Sequence, residues 1–453
     1  MAPRASKRLA WPCLAGVGVL LAWLAYLPRP HVSDWLMELL LLFDRCPPVH
    51  LRRAIAVLAV GDNYTSAITH TVEPAHQPLY PPWRPLLAVE LKRSAEDTVI
   101  FDAAGRELHC LASVPLGTGT GNGVYVYVAP AGTLWQWPAE HVGFARAVRL
   151  PPLRFDADRP EGTWEAAWEP AARSSIDNVA RGSAATDDGT DTVTLQTLST
   201  SPPIFRAPGL LTEAAMDALL AAAAPGLARS TVGDPTQTQA PYRQVDERRT
   251  SLSAWIHGYN DPRHSHSVAR AVQRRVAALL ALPSERLWRG IEPLLAVEYP
   301  EGTFYEPHFD FFGGGGGSDK LSEPAFTPPH GSNRFATVIV YLTSAGEPGD
   351  GGFVNGHTVF PFAGFVNGSD SLDGVAFAGA VPGAPACSFP APSTPKAARG
   401  MLVQPRRGDA ILFYDQRPDG SLDGRARHGS CPVVRGTKRV INVWAWNRDV
   451  IYR

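Results

Sequence analysis

Hydrophobic and polar positions change character several times along the chain. An uncharged, mainly apolar run from Leu9 to Leu27 follows Arg4, Lys7 and Arg8 and is closed by Pro28-Arg29-Pro30. A helix needs roughly 20 apolar residues to cross a bilayer, so residues 9–27 are expected to form a transmembrane signal anchor. Basic residues before the run and none within it favour a cytosolic N-terminus and a lumenal body. A cleaved signal peptide is the alternative, disfavoured by the length of the run and the lack of a small-x-small cleavage site. Trp35–Phe43 is apolar but too short for a second span, and reads as a packed or interfacial helix.

Strand patterning follows. Ala54–Val60, Leu86–Leu91, Gly123–Ala129 and Ala145–Leu150 are short β-branched or alternating runs between Gly-, Pro- and Asn-containing turns, which predicts a β-rich N-terminal region over residues 30–153. Periodicity is lost over 154–191, where Asp187-Asp188-Gly189-Thr190-Asp191 is loop chemistry, so a linker is expected. Order resumes at Val193. Thr212 is placed to cap a helix running to about Ala224. A second helix is predicted from about Ser265 to Leu282, with Val268, Val272, Val276, Leu279 and Leu280 at helical spacing and Arg270, Arg274 and Arg275 on a solvated face. Strands then dominate: Leu294–Tyr299, Ala336–Leu342, Met401–Val403, Ala410–Tyr414 and Val440–Trp446. Helices followed by a run of strands imply an α+β domain over 192–453, an antiparallel core with helices on one side. Gly313–Gly317 with the following Ser and Asp reads as a flexible insertion, and not as a phosphate loop, since no Gly-Lys-Ser/Thr accompanies it.

Composition narrows the function classes. A chain of 453 residues can hold two or three domains, and its formal net charge of -1 argues against a nucleic-acid partner. Five scattered cysteines without a Cys-x-x-Cys pair exclude a disulfide scaffold or a cysteine zinc site. In an oxidising lumen Cys387 and Cys431 are a candidate disulfide, and Asn63-Tyr64-Thr65 and Asn367-Gly368-Ser369 are candidate glycosylation sites.

The chemistry concentrates at His308-Phe309-Asp310, His428 and Lys438. Alternate residues of an extended segment share a face, so His308 and Asp310 can converge on one ion. A distant third ligand, His428, would complete two imidazoles and a carboxylate, a set that holds Fe(II) on one side and leaves other positions open. Lys438 adds a cation suited to the far carboxylate of a dicarboxylate cosubstrate.

From Thr194 to Trp446 the chain resembles the prolyl 4-hydroxylase family of 2-oxoglutarate oxygenases, particularly plant and algal members. The resemblance is carried by Leu195–Ser199 with Ser201-Pro202, by Arg249-Thr250-Ser251, and by Glu292 with Tyr299 and Tyr305 before the metal motif. It continues through Arg334, Thr337 and Tyr341-Leu342, then Gly351-Gly352 and Thr358-Val359-Phe360-Pro361. It closes with Pro405–Ala410, His428–Val433 and Gly436-x-Lys438. The resemblance implies a double-stranded β-helix, or jelly roll, with flanking helices. It implies Fe(II) on His308, Asp310 and His428, 2-oxoglutarate held by Lys438, Tyr299 and Thr358, and ascorbate as a further requirement. Arg249, Ser251, Glu292, Tyr305 and Arg334 correspond to the family's peptide groove, and the implied partner is a proline-containing peptide or protein. Three departures stand out: His357 before Thr358, a long segment over 313–333, and Trp446 where the family often has His. The expected protein is a single-pass type II membrane enzyme of the endoplasmic reticulum or Golgi, with a lumenal catalytic domain. A peptidyl-lysyl or other side-chain hydroxylase, and a lumenal peptide-binding module without turnover, remain open.

Overall fold

The computed structural model describes residues 53–59, 68–72, 98–107, 124–130, 132–155, 191–233, 243–244, 247–261, 264–283, 286–312, 331–346, 351–363, 375–377 and 400–450. The expected anchor at 9–27, the Trp35–Phe43 and Leu86–Leu91 segments, Asn63, Asn367, the pentaglycine, Cys387 and nearly all of the linker lie outside these residues. Among the described residues no helix is long and apolar enough to cross a membrane.

Two facing sheets build the C-terminal domain. The larger has nine strands, in the order Ala145–Leu150, Asp191–Thr200, Pro203–Ala207, Ala410–Tyr414, Arg334–Tyr341, Lys438–Trp446, Leu294–Tyr299, Leu252–Ile256 and Ala228–Arg229. The smaller has Tyr305–His308, His428–Ser430, Thr358–Phe360, Met401–Val403 and Val375–Phe377. Every pairing within both sheets is antiparallel, as a jelly roll requires.

Arg334–Tyr341 is buried at every position because both of its faces are covered. Side chains alternate between the faces of a strand. Ala336, Val338 and Val340 pack on the helix side, while Ile339 and Tyr341 join the core between the two sheets. Lys438–Trp446 divides in the same way, with Ile441, Val443 and Ala445 outward and Val440 and Trp444 inward. The inward faces of these central strands therefore line the space where the chemistry sits.

The first helix is Glu213–Ala223, with Thr212 as its N-cap accepting from the Ala215 amide at 3.3 Å. The second, Ser267–Leu279, departs from expectation on one face. Arg270, Arg274 and Arg275 are buried rather than solvated. Arg275 donates to the Pro151 carbonyl at 2.7 Å and to Asp191 at 2.8 Å. Arg274 donates to the Tyr259 hydroxyl at 2.8 Å and the Arg154 carbonyl at 3.1 Å, and Arg270 donates to Ser265. Buried guanidinium groups need acceptors to offset desolvation, and here distant segments of chain supply most of them.

The N-terminal region contributes a four-stranded sheet in the order Ile68–Val72, Arg53–Ala59, Val124–Pro130 and Thr98–Asp102. Trp135 packs edge-on against Tyr127 with ring centroids 5.0 Å apart, and Trp137 lies 5.6 Å from Trp135. This aromatic stack runs into the helix-side core. The Trp137 indole donates to the Leu279 carbonyl at 2.7 Å, and the Trp137 amide donates to the Tyr414 hydroxyl at 2.9 Å. Ala145–Leu150, expected within the N-terminal region, is instead the edge strand of the nine-stranded sheet, in register with Asp191–Gln196.

Candidate metal centre and its surroundings

Tyr305–His308 and His428–Ser430 are antiparallel neighbours in which His308 faces His428 and Tyr305 faces Ser430. This pairing brings two histidines 120 positions apart to a ring-centroid separation of 4.6 Å. Gly429 makes the approach feasible: a Cβ there would lie 2.8 Å from the Tyr305 carbonyl oxygen and 2.9 Å from the Pro307 nitrogen. Asp310 follows the first strand by two residues. One ligand atom from each of His308, Asp310 and His428 lies within 4.8 Å of the others, the one such group among the described residues.

The donor set suits a divalent cation. Nδ1 of His308 meets the Glu306 carbonyl at 2.8 Å, and Nδ1 of His428 meets the Ala426 carbonyl at 3.2 Å. Placing the protons on Nδ1 leaves both Nε2 lone pairs for a metal. Nε2 of His308 lies 3.5 Å from Asp310 Oδ1, and Nε2 of His428 lies 3.4 Å from Oδ2. Burial lowers the His428 pKa to about 4, against the raising effect of Asp310, so the ring is uncharged near neutral pH, as a metal ligand would need to be. Burial alone would raise the Asp310 carboxyl, but His428, His308 and Arg334 together hold it well below the usual range.

Asp310 is braced from several sides. Its Oδ2 accepts the Trp444 indole N–H at 2.8 Å and lies 2.8 Å from the Thr337 hydroxyl, and its backbone carbonyl accepts from Arg334 at 3.0 Å. Arg334 donates twice to Glu292, at 2.6 and 2.9 Å, and lies over the Trp444 ring at 3.8 Å. Glu292 also accepts the Trp446 indole N–H at 2.6 Å. Trp446, a departure from the family pattern, is thus fully buried and supports this ion pair.

Lys438 is 2 % exposed, with its ammonium 2.8 Å from the Ser430 hydroxyl. Alternate residues share a strand face, so Ser430 and His428 place this cation beside the metal ligands. Its Nζ lies 5.2 Å from the Tyr299 ring centre and 5.9 Å from that of Tyr341. The Tyr341 hydroxyl donates to Thr358 at 2.7 Å, and Thr358 is the ladder partner of Ser430. Among the described residues Lys438 has no carboxylate partner, and burial lowers its pKa to about 7. Burial raises Tyr299 to about 12, against the lowering effects of Arg249 and the Ser430 hydrogen bond. Together these hydroxyls and the cation have the donors and the charge that a buried carboxylate would need. Ser430 and Tyr341 carry no role in the sequence reading, although both stand in segments that bear the family pattern. His357 adjoins this cluster: burial, then Lys438, lowers its pKa to about 4.

The five residues expected to line a peptide groove separate into three places. Tyr305 stacks on His308 with ring centroids 3.6 Å apart, and the Arg249 guanidinium lies over Tyr305 at 4.8 Å. These two stand beside the metal ligands and remain candidates for peptide contact. Glu292 and Arg334 are committed to one another behind Asp310. Ser251 is fully buried, and its hydroxyl donates to Ser230 at 2.9 Å. Burial and existing partners remove Ser251 and Glu292 from any peptide surface. Cys431 is disulfide-bonded and fully buried. The proposed partner Cys387 lies outside the described residues.

Residues 294–446 match the model of the 2OG-Fe(II) oxygenase superfamily. The chain is 28% identical over 249 residues to probable prolyl 4-hydroxylase 3 of Arabidopsis thaliana, covering 55% of this chain and 71% of that one. It is 29% identical over 235 residues to prolyl 4-hydroxylase 5 of the same plant, covering 52% and 65%. Among solved structures, the viral collagen prolyl hydroxylase of Paramecium Bursaria Chlorella virus-1 aligns with 54% of this chain and 95% of its own, at 19% identity and a TM-score of 0.33.

Proposed function

We propose that the chain is a 2-oxoglutarate- and Fe(II)-dependent prolyl 4-hydroxylase that acts on peptidyl-proline in a lumenal compartment while anchored to the membrane through residues 9–27. The observation that carries the enzymatic reading is the adjacency of two receptors. The His308, Asp310 and His428 set and the buried Lys438–Ser430–Thr358 carboxylate receptor share the strand His428–Ser430. The anchor rests on the basic residues and apolar run at the N-terminus alone.

His308 and His428 would hold Fe(II) through Nε2 and Asp310 through Oδ1, because Oδ2 is occupied by Trp444 and Thr337. Bound Fe(II) supplies the coupling of dioxygen reduction to oxidative decarboxylation of 2-oxoglutarate, one oxygen atom entering succinate and the other the substrate C–H bond, with CO2 released. Lys438 binds the distal carboxylate of 2-oxoglutarate, with hydroxyl donors from Ser430, Thr358 and Tyr299. A buried carboxylate needs such a charge partner to offset its desolvation. The dianion in turn favours the protonated form of Lys438, so binding draws a proton onto Nζ. Trp444, Thr337 and Arg334 keep Asp310 oriented, and Tyr305 with Arg249 offers aromatic and donor surface to a peptide lacking many N–H groups.

The test is turnover by the purified lumenal region with Fe(II), ascorbate, 2-oxoglutarate and parallel proline- and lysine-containing peptides. Succinate should form with a mass gain of one oxygen on proline. Oxygen on lysine would move the protein to a different side-chain hydroxylase, and binding without succinate would make it a peptide-binding module.

A further inference from the structure

Behind the metal ligands lies a second buried carboxyl that the reading above leaves without a role. Asp415 is the residue after the strand Ala410–Tyr414 and is 0% exposed. Its backbone is tied on both sides, its amide donating to Phe335 at 2.8 Å and its carbonyl accepting from Asp423 at 2.9 Å. Among the described residues its side chain meets one group, the Thr337 hydroxyl, 2.9 Å from Oδ2, and its Oδ1 has no hydrogen-bond partner.

Thr337 therefore stands between two carboxyl groups, 2.8 Å from Asp310 Oδ2 and 2.9 Å from Asp415 Oδ2. A hydroxyl carries one proton and can donate to only one of them. Were Asp415 ionised, it would be a buried anion with at most one neutral donor, close to the carboxylates of Asp310 and Glu292. The positive group nearby, Arg334, gives two donors to Glu292 and a third to the Asp310 carbonyl. Donation to Asp415 would also turn a hydroxyl lone pair toward Asp310 Oδ2. One proton on Asp415 resolves both conflicts. Asp415 then donates to Thr337 Oγ1, and Thr337 donates to Asp310 Oδ2. Burial first, then Asp310 and Glu292, push Asp415 well above the usual carboxylate range, against Thr337 and Arg334.

We infer that Asp415 is a neutral carboxylic acid that orients the Thr337 hydroxyl, and that the two are positioning residues holding Asp310 so that Oδ1 faces the metal. The inference rests on the assignment of Asp310 as a metal ligand. Outer partners of metal-binding carboxylates commonly change metal affinity by about 10–100-fold when removed. A donor, rather than a negative charge, is what this position supplies.

Four variants of the full chain and two measurements test this. Thr337→Val removes the hydroxyl and Thr337→Ser keeps it. Asp415→Leu removes the donor, and Asp415→Asn keeps a donor in nearly the same shape. Titration with Co(II), followed by its visible absorbance, should show affinity reduced about tenfold or more in Thr337→Val and Asp415→Leu, and within about threefold of the native protein in Thr337→Ser and Asp415→Asn. Infrared spectra at neutral pH should show a protonated-carboxyl C=O band that Asp415→Asn lacks. The inference is overturned if no such band is lost, if Thr337→Val binds Co(II) as the native protein does, or if Asp415→Asn is as weak as Asp415→Leu. Should Asp415→Leu not fold, the infrared band and the Ser, Val and Asn variants decide. Native protein that binds no Co(II) would instead sink the metal assignment itself, while the infrared result would still report the protonation of Asp415.

Discussion

Lys438→Met replaces a buried cation with an apolar chain of similar length, and the pH dependence of its effect can be worked out in advance. In the folded, cosubstrate-free protein burial lowers the Lys438 pKa from 10.5 to about 7. That difference corresponds to roughly 5 kcal/mol of disfavoured charge. In the window between about 7 and 10.5 the unfolded chain binds the proton and the folded chain does not. Stability therefore rises with pH across this window, and the penalty is fully present below it. From about pH 7 to pH 9 the native protein should gain roughly 2 kcal/mol relative to Lys438→Met, about 1 kcal/mol per pH unit. Urea unfolding of both proteins, without metal or 2-oxoglutarate, measures this directly, and the difference between them cancels the other titrating groups. Saturating 2-oxoglutarate with Co(II) should flatten the dependence, because a bound carboxylate restores the charge on Nζ. A native-minus-variant difference that stays constant from about pH 7 to pH 9 would show that Lys438 is charged throughout and refute the reasoning.

Three further outcomes follow from the geometry. His308→Ala and Asp310→Ala should each abolish succinate formation, and normal turnover in either protein would falsify the metal assignment. Glu292→Leu leaves Arg334 buried without its carboxylate and should cost about 3–5 kcal/mol, whereas Glu292→Leu combined with Arg334→Leu should cost less; chemical denaturation checks the order, and a larger loss in the double variant would contradict it. Trp137→Ala removes a buried indole and its bond to Leu279, and should lower stability by about 3–5 kcal/mol in the same assay. A loss near zero would mean that this indole contributes little to the C-terminal domain.

Strands whose own residues define two faces were legible from the chain. Leu294–Tyr299 and Ala410–Tyr414 end where their apolar patterns end. Thr358–Phe360 and His428–Ser430 escape such reading because three residues carry no period; their ladder partners define them. The arginine face of Ser267–Leu279 misleads for a related reason. Its acceptors include Pro151, Arg154 and Asp191, and a helical wheel contains no information about carbonyls delivered from that far away. At the site, His308, Asp310, His428 and Lys438 could be named because their spacing matched a known family. Thr337 and Asp415 could not be given roles, since a threonine inside one strand and an aspartate at the end of another are ordinary surface residues until the sheets close over them. Asp415 did leave a trace: it is a charge directly following the apolar run Ala410–Tyr414.

Leu150 and Asp191 are ladder partners, so the chain leaves the edge of the nine-stranded sheet after Leu150 and re-enters it opposite the same residue. The intervening stretch therefore begins and ends at neighbouring points on one surface. A change in its length would leave the spacing of these two ends unaltered. A single cut there would yield two polypeptides joined by six residue pairs of antiparallel ladder, by Arg275 bridging Pro151 to Asp191, and by the Trp137 bonds to Leu279 and Tyr414. Such halves should co-purify, and could be expressed separately and reassembled into a working enzyme.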